Sequence, residues 1–387
     1  MVNKTRYFNS TQVSSPVLSG TAGAMLAVLD AVLVNGFGSQ SVSTLVVASN
    51  IATVTHGSAH AQIVDGIANI TGATPAGLNG DKRVLSVTTN GFTFAAPGIS
   101  DQTATGTITA KVASLGWTKP YSGTNLAAYK PSAVEATGCL LRVDDTGTTT
   151  ARVRGYETMT DVNTGIGPFP TVAQQAAPGR WWSKSDVASA AARSWFVIGD
   201  DRCFYLFMAP NSNTTYGTQG VFFGDFISVK SNDPYACFLF ANTADRSTAA
   251  SNLSDSIEYS NGSVNTDAGF VARNANTLGG AQSLAPENAF GTGTNYTSGL
   301  GAFTYPSPVD NGLTLCRPRL IGSTSGLRGY LPGMKVTPQN MSAGPFNSGD
   351  VVMGAGDLAG VKLRAIKTGT TTTSAGVCFF DMLNDWR

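Results

Sequence analysis

The sequence predicts a mainly β protein: an N-terminal arm and one helix, a small antiparallel β-barrel or sandwich module, then a larger β-sandwich-like domain with long polar loops. Three observations predict it. Short runs of β-branched and aromatic residues recur between turn residues along most of the 387 positions. Charged residues make up only 13%, about half the ~25% usual in soluble domains. The 44 glycines and the abundant Ser, Thr and Asn take their place, giving a polar, nearly uncharged surface that suits an assembly protein better than a cytosolic enzyme. Hydrophobic residues, at 42%, suffice for more than one core. On this reading residues 1–40 are arm and helix, 41–114 the small module, and 115–387 the larger domain with a loop-rich insertion at 243–312.

The arm, "YFNSTQVSSPVL", reads as irregular or extended, and residues 6–17 are expected to order only in an assembly. Ser19 or Thr21 can cap a helix carrying Met25, Leu26, Leu29, Val32 and Leu33 at helical spacing, which Gly36 stops. From 41 to 112 the period changes to short strands, "SVSTLVVAS", "IATVTHG", "AQIVDGIANITG", "KRVLSVTTN", "GFTFAAP" and "ATGTITAKV". Asn79-Gly80 and Asn90-Gly91 are the strongest hairpin signals among them, because both residue types tolerate positive φ. Beyond Leu115, "GCLLRVDDTGTTTARVRGYE" and "RSWFVIGDDRCFYLFMAP" read as hairpins, the second turning at Gly199–Asp201. "SDVASAAARS" allows one short helical turn. "CFYLFM", "GVFFGDFISVK" and "YACFLFAN" are almost wholly apolar, which predicts strands covered on both faces. Residues 243–312 hold few large apolar groups and read as surface loops. The strands "LTLCRPRLIG", "GMKVTP", "VKLRAIKTG" and "AGVCFFDML" follow.

Composition excludes several classes of function. A net charge of +1 with scattered basic residues leaves no footprint for nucleic acid. The five cysteines are widely spaced, lack any C-x-x-C and sit mostly in apolar runs, so free thiols made in a reducing compartment are expected. "MVNKTRYFNS" lacks the apolar core of a signal peptide. "GAMLAVLDAVLVNGF" is too short to span a bilayer and carries Asp30 at its centre.

Candidate chemistry is sparse. His56 and His60, the only histidines, stand four apart, the spacing that puts two imidazoles on one helix face for zinc. Their neighbours Thr53, Val54, Thr55, Gly57 and Ser58 favour a strand and a turn instead, and Asp65, the nearest carboxylate, is not at ligand spacing. No metal site is therefore expected. There is no G-x-S-x-G and no G-x-x-x-x-G-K-[ST]. "MGAGDLAG" precedes a strand, whereas a phosphate-binding glycine loop opens a helix, so it reads as a turn and no cofactor is expected. Glu157 with Asp161, and Asp200 with Asp201, are the carboxylate pairs with spacing for glycoside hydrolysis, but nothing beside them signals a shifted pKa, and no catalytic residue is assigned. Trp181 and Trp182 could stack on sugar rings at a host surface, but neighbours on a strand point to opposite faces, so at most one would do so, and packing in a core or interface is the favoured use of both.

One stretch carries a resemblance. Residues 51–94 resemble a small β-module found repeatedly in virion proteins of tailed bacteriophages, through a strand ending His56-Gly57, Ile70 to Ala73 (I-x-G-A), the turn Leu78-Asn79-Gly80 and a strand ending Thr93-Phe94. In that pattern His56 marks a turn and His60 is incidental. "PVLSGTAGAMLAVLDAVLVNGFG", "ARVRGYETMTDVNTGIGPFP" and "VCFFDMLNDWR" are similar to a group of phage structural proteins, the last with Asn384 and Asp385 in place of the usual Gly-Pro. The resemblance implies a non-enzymatic structural subunit of tail or baseplate, made in the bacterial cytoplasm and carried in the virion. Its implied partners are other virion proteins and copies of itself in three- or six-fold symmetry. A host-surface adsorption protein and a capsid decoration protein are the alternatives.

Overall fold

Strand Cys203–Met208 is buried at all six positions and Gln219–Asp225 at all seven. Successive side chains on a strand point to opposite faces, so such strands must be covered on both. The structure, a computed structural model, covers them with two further sheets. It describes residues 4–211, 219–245, 247, 256–257, 269–287, 304–322, 326–339, 345–371 and 374–387.

Among the described residues the protein is mainly β, with four antiparallel sheets. The central one has ten strands. From one edge these are Arg6–Asn9, Trp195–Gly199, Cys203–Met208, Gln219–Asp225, Cys237–Phe240, Gly269–Val271, Gln282–Glu287, Arg319–Gly322, Gly326–Tyr330 and Ile227–Ser228. On one face, Phe204, Leu206, Val221, Phe223 and Leu239 pack with the helix residues Met25, Val28, Leu29 and Val32, and with Tyr129, Leu141, Val143 and Trp182 of a six-stranded sheet. On the other, Tyr205, Phe207, Phe222 and Phe238 pack with Met334, Ile366, Cys378, Phe380 and Trp386 around a four-stranded sheet. Each large apolar side chain buried this way contributes roughly 1.5–3 kcal/mol. Ring contacts such as Tyr205–Phe380, with centroids at 4.9 Å, lock the second interface.

The six-stranded sheet runs Thr118–Gly123, Leu126–Lys130, Leu140–Asp144, Thr150–Met159 and Gly165–Phe169, with Arg180–Ser183 also pairing with Thr150–Met159. The eight-stranded sheet forms the small module and has its own core of Leu45, Val54, Ile70, Val84, Phe92 and Phe94. Ion pairs tie this module to the rest of the chain: Arg6 to Asp81 at 2.5 Å and Lys362 to Asp65 at 2.5 Å.

Several expectations are corrected. The arm is extended over Arg6–Asn9, as read, and what the reading lacked is its pairing: it is the edge strand of the central sheet, with Tyr7 and Phe8 buried. The helix is α only over Ala24–Leu29 and continues as π over Asp30–Asn35, which Gly36 ends at φ 71°. Its cap is neither Ser19 nor Thr21. The Asp145 carboxylate, far away in sequence, accepts the amides of Met25 at 2.7 Å and Leu26 at 3.2 Å. Asn79-Gly80 is not a two-residue hairpin either, because Asn79 has φ −79° and its side chain brackets the backbone of Ala73 at 2.8 and 2.7 Å. The second signal lies one residue out, since Thr88 pairs with Gly91 around Thr89 and Asn90. Ser49 and Asn50, with φ 50° and 63°, make the tight turn that no Asn-Gly announced. Residues 186–190 are bends rather than a helical turn. Within 243–312, Gly269–Val271 and Gln282–Glu287 are sheet strands, and 246, 248–255, 258–268 and 288–303 lie outside the described residues.

Candidate functional site

His56 follows strand Ile51–Thr55, and its amide donates to Asn90 O at 2.7 Å, so it does mark a strand end. Its Nδ1 lies 3.0 Å from Ser41 O, an acceptor, so Nδ1 carries the proton. Burial pushes its pKa down. His60 is not incidental. Its Nε2 donates to Gly91 O at 2.8 Å and Thr88 O at 3.1 Å, while its Nδ1 accepts the Gln62 amide at 3.0 Å. Both nitrogens are thereby engaged, and both rings pack on Phe92 at 5.9 and 5.7 Å. The pair is a strut across the small module. Among the described residues no group of three or more His, Cys, Asp or Glu could hold a metal ion.

The carboxylates are likewise engaged in structure. Glu157 takes a two-pronged contact from Arg273 at 2.6 and 3.0 Å. Asp161 accepts the Asn163 and Thr164 amides at 2.7 and 3.0 Å, bonds that hold its pKa below the usual range. Asp200 Oδ1 accepts the Arg202 and Cys203 amides, both at 2.8 Å, while Asp201 pairs with Lys4 at 2.6 Å. Neither pair leaves an acid and a nucleophile facing a common cleft. The "MGAGDLAG" segment is the loop between strands Val351–Met353 and Lys362–Thr371, as read.

The tryptophans divide as strand alternation requires. Trp182 is fully buried, donates from Nε1 to Phe240 O at 3.2 Å and meets Phe204 edge-on, so it cannot be a surface contact. Trp181 is half-buried beneath the Arg152 guanidinium, 3.9 Å from its ring. Only Trp181 remains available to a partner.

Two ionic clusters had no sequence signal, because their members are far apart in the chain. Asp225, with 1% side-chain exposure, accepts Thr137 Oγ1 at 2.6 Å and Arg202 at 3.0 and 3.2 Å, yet burial still raises its pKa. Arg387 joins it, donating to Asp225 O at 2.8 Å and Cys203 Sγ at 3.1 Å and pairing with Asp200. The second cluster is Asp145 with Lys184, both with 0% exposure.

What remains as a contact surface is the outer face of the small module. Cross-strand registers line up Thr103, Val46, Thr53, Thr93 and Ser86, and beside them Thr44, Thr55, Gly91 and Thr88. Ser86 and Thr93 hydroxyls meet at 2.7 Å. An open groove here is lined by Thr53, Thr55, Ser86, Thr88, Asn90 and Thr93 without a charged group, and Val46 and Ile51 are exposed on the same face. Such a surface suits hydrogen bonding and apolar contact better than charge recognition.

No protein-family model matches the chain, and the comparison with curated proteins found no match. Among the described residues no helix is long and apolar enough to cross a membrane.

Proposed function

We propose that this chain is a structural component of a tailed-bacteriophage virion, of tail or baseplate, which acts through protein–protein interfaces and carries no catalysis. The observation that carries the reading is the resemblance of residues 51–94 to the virion module, from His56-Gly57 to Thr93-Phe94. The uncharged groove on the outer face of that module supports it, since broad interfaces hold by apolar burial and satisfied backbone groups rather than by charge. The engagement of Glu157, Asp161, Asp200 and Asp201 in ion pairs and turns fits the same reading. Copies of the chain associate in closed symmetry, three- or six-fold in a tail.

Gold-labelled antibody against this chain, applied to intact particles of the phage that encodes it, tests the proposal. Label on the tail or its end plate is expected. Label on the head alone replaces it with a decoration role, and particles free of label overturn it. Binding of the purified protein to host cells, lost on Trp181→Ala, replaces it with adsorption.

A further inference from the structure

Of the ion pairs among the described residues, Lys184–Asp145 is the one in which both side chains have 0% exposure. The two residues follow strands Arg180–Ser183 and Leu140–Asp144, which flank Thr150–Met159 on either side in the same sheet. Their backbones are fixed: Lys184 N donates to Thr149 O at 2.9 Å and Asp145 N to Asn125 O at 2.8 Å. Lys184 Nζ touches Asp145 Oδ1 and donates to Thr21 O at 2.7 Å, while Oδ2 accepts the Met25 and Leu26 amides.

Two full charges held this far from water are costly. Burial pushes the Asp145 pKa up and the Lys184 pKa down, so each group is driven toward its uncharged form. A neutral amine held against a neutral carboxylic acid, with the second oxygen on two N–H donors, is the arrangement an amide condensation needs. We propose that Lys184 and Asp145 condense into an intramolecular isopeptide bond. The Nζ lone pair attacks Cγ, and the charge that develops on Oδ2 rests on the Met25 and Leu26 amides. A proton passes from Nζ to Oδ1, the Cγ–Oδ1 bond breaks, and water leaves. No oxidant, reductant or cofactor enters the balance. The amide keeps Oδ2 on its two donors and turns its own N–H to Thr21 O, so the bonds to Met25, Leu26 and Thr21 survive, and the new covalent bond replaces the contact to Oδ1.

The other buried pairs show why the inference is confined to this one. Arg328–Asp233 and Arg202–Asp225 have comparably buried acids, but a guanidinium does not give up its proton. Lys362, opposite Asp65, keeps 24% exposure and stays open to water. The link would join the ends of two strands of the six-stranded sheet and close the chain between positions 145 and 184. It does not rest on the assembly reading above.

The intact mass of the purified full chain, measured after denaturation, tests it. One water less than the sequence mass is expected, and a protease digest should contain a branched peptide joining Asp145 to Lys184. Lys184→Arg and Asp145→Ala should each return to the full sequence mass. An unmodified wild-type mass overturns the proposal, as does a water loss that maps elsewhere, for instance to a cyclic imide at Asp65-Gly66. The wild-type measurement decides even if neither variant folds.

Discussion

His60 donates to carbonyls 28 and 31 positions further along the chain, at Thr88 and Gly91, and His56 reaches back to Ser41. The buried His56 ring gives the module a pH dependence. Burial lowers the His56 pKa in the folded protein, whereas in the unfolded chain it returns to about 6.5. Between those two values the unfolded state binds more protons, so stability rises with pH across that window. It is complete above about pH 6.5 and falls away as the pH drops below it. Urea unfolding at about pH 7.5 and about pH 5.5 should show a lower midpoint at the acid end, and His56→Gln should flatten the difference. An equal pH dependence in the variant would show that the buried imidazole is not its source. The sequence made the strand end at His56 legible, because the β-branched residues before it and Gly57-Ser58 after it are local signals. It hid the role of His60, whose partners are set by strand pairing rather than by neighbours.

At the scale of elements, Arg328 on strand Gly326–Tyr330 reaches Asp233 beyond the short partner strand Ile227–Ser228 and also donates to Ser228 Oγ at 2.9 Å. Burial raises the Asp233 pKa, but the bonds from Arg328 and Ser228 outweigh it and hold the carboxyl below its ordinary value. A depressed carboxylate contributes stability that is present above its unfolded value of about 3.9 and is lost as pH falls through the folded one. Asp233→Asn should therefore cost roughly 3–5 kcal/mol near neutral pH, the usual penalty for leaving a buried partner unpaired. The same change should make the acid limb of a pH–stability curve shallower. An unchanged acid limb would remove Asp233 from the account. Which elements could be read in advance follows the same division between local and distant causes. The apolar runs from Cys203, Gln219 and Cys237 declared strands covered on both sides, because burial on two faces leaves no polar alternation. The pairing of strand Arg6–Asn9 was not legible: its four residues read only as extended until Trp195–Gly199 offers an edge. The helix start was hidden for a like reason, its cap being Asp145 rather than an adjacent Ser or Thr.

Across the whole molecule, one hairpin collects segments from opposite ends of the numbering. Arg6–Asn9 pairs with Trp195–Gly199, and Trp386 lies against Tyr205 of Cys203–Met208 at 6.0 Å. Arg387 meets Asp200 in the turn between those strands. Gly333 makes room for the indole: at φ 66°, a Cβ there would sit 2.1 Å from the Trp386 ring. The turn that replaces Gly-Pro before Trp386 is held by Asp381, whose carboxylate accepts the Leu383 and Asn384 amides at 2.9 and 3.0 Å. Removing Trp386 and Arg387 should thus uncover Asp200 and open a cavity beside Tyr205 and Phe380 in one stroke. Trp386→Ala alone is expected to cost about 3–5 kcal/mol, the range for truncating a large buried ring. Arg387→Ala leaves its acid partners buried and should be of similar size. The two will not add, because they share the hairpin. Because the hairpin is common to both ends, the damage should spread. Hydrogen exchange on a variant ending at Asp385 should lose protection in Arg6–Asn9 as well as in Ser374–Asp381. Loss confined to Ser374–Asp381 would mean that the hairpin does not couple the two ends, and that the layers on its two faces open independently.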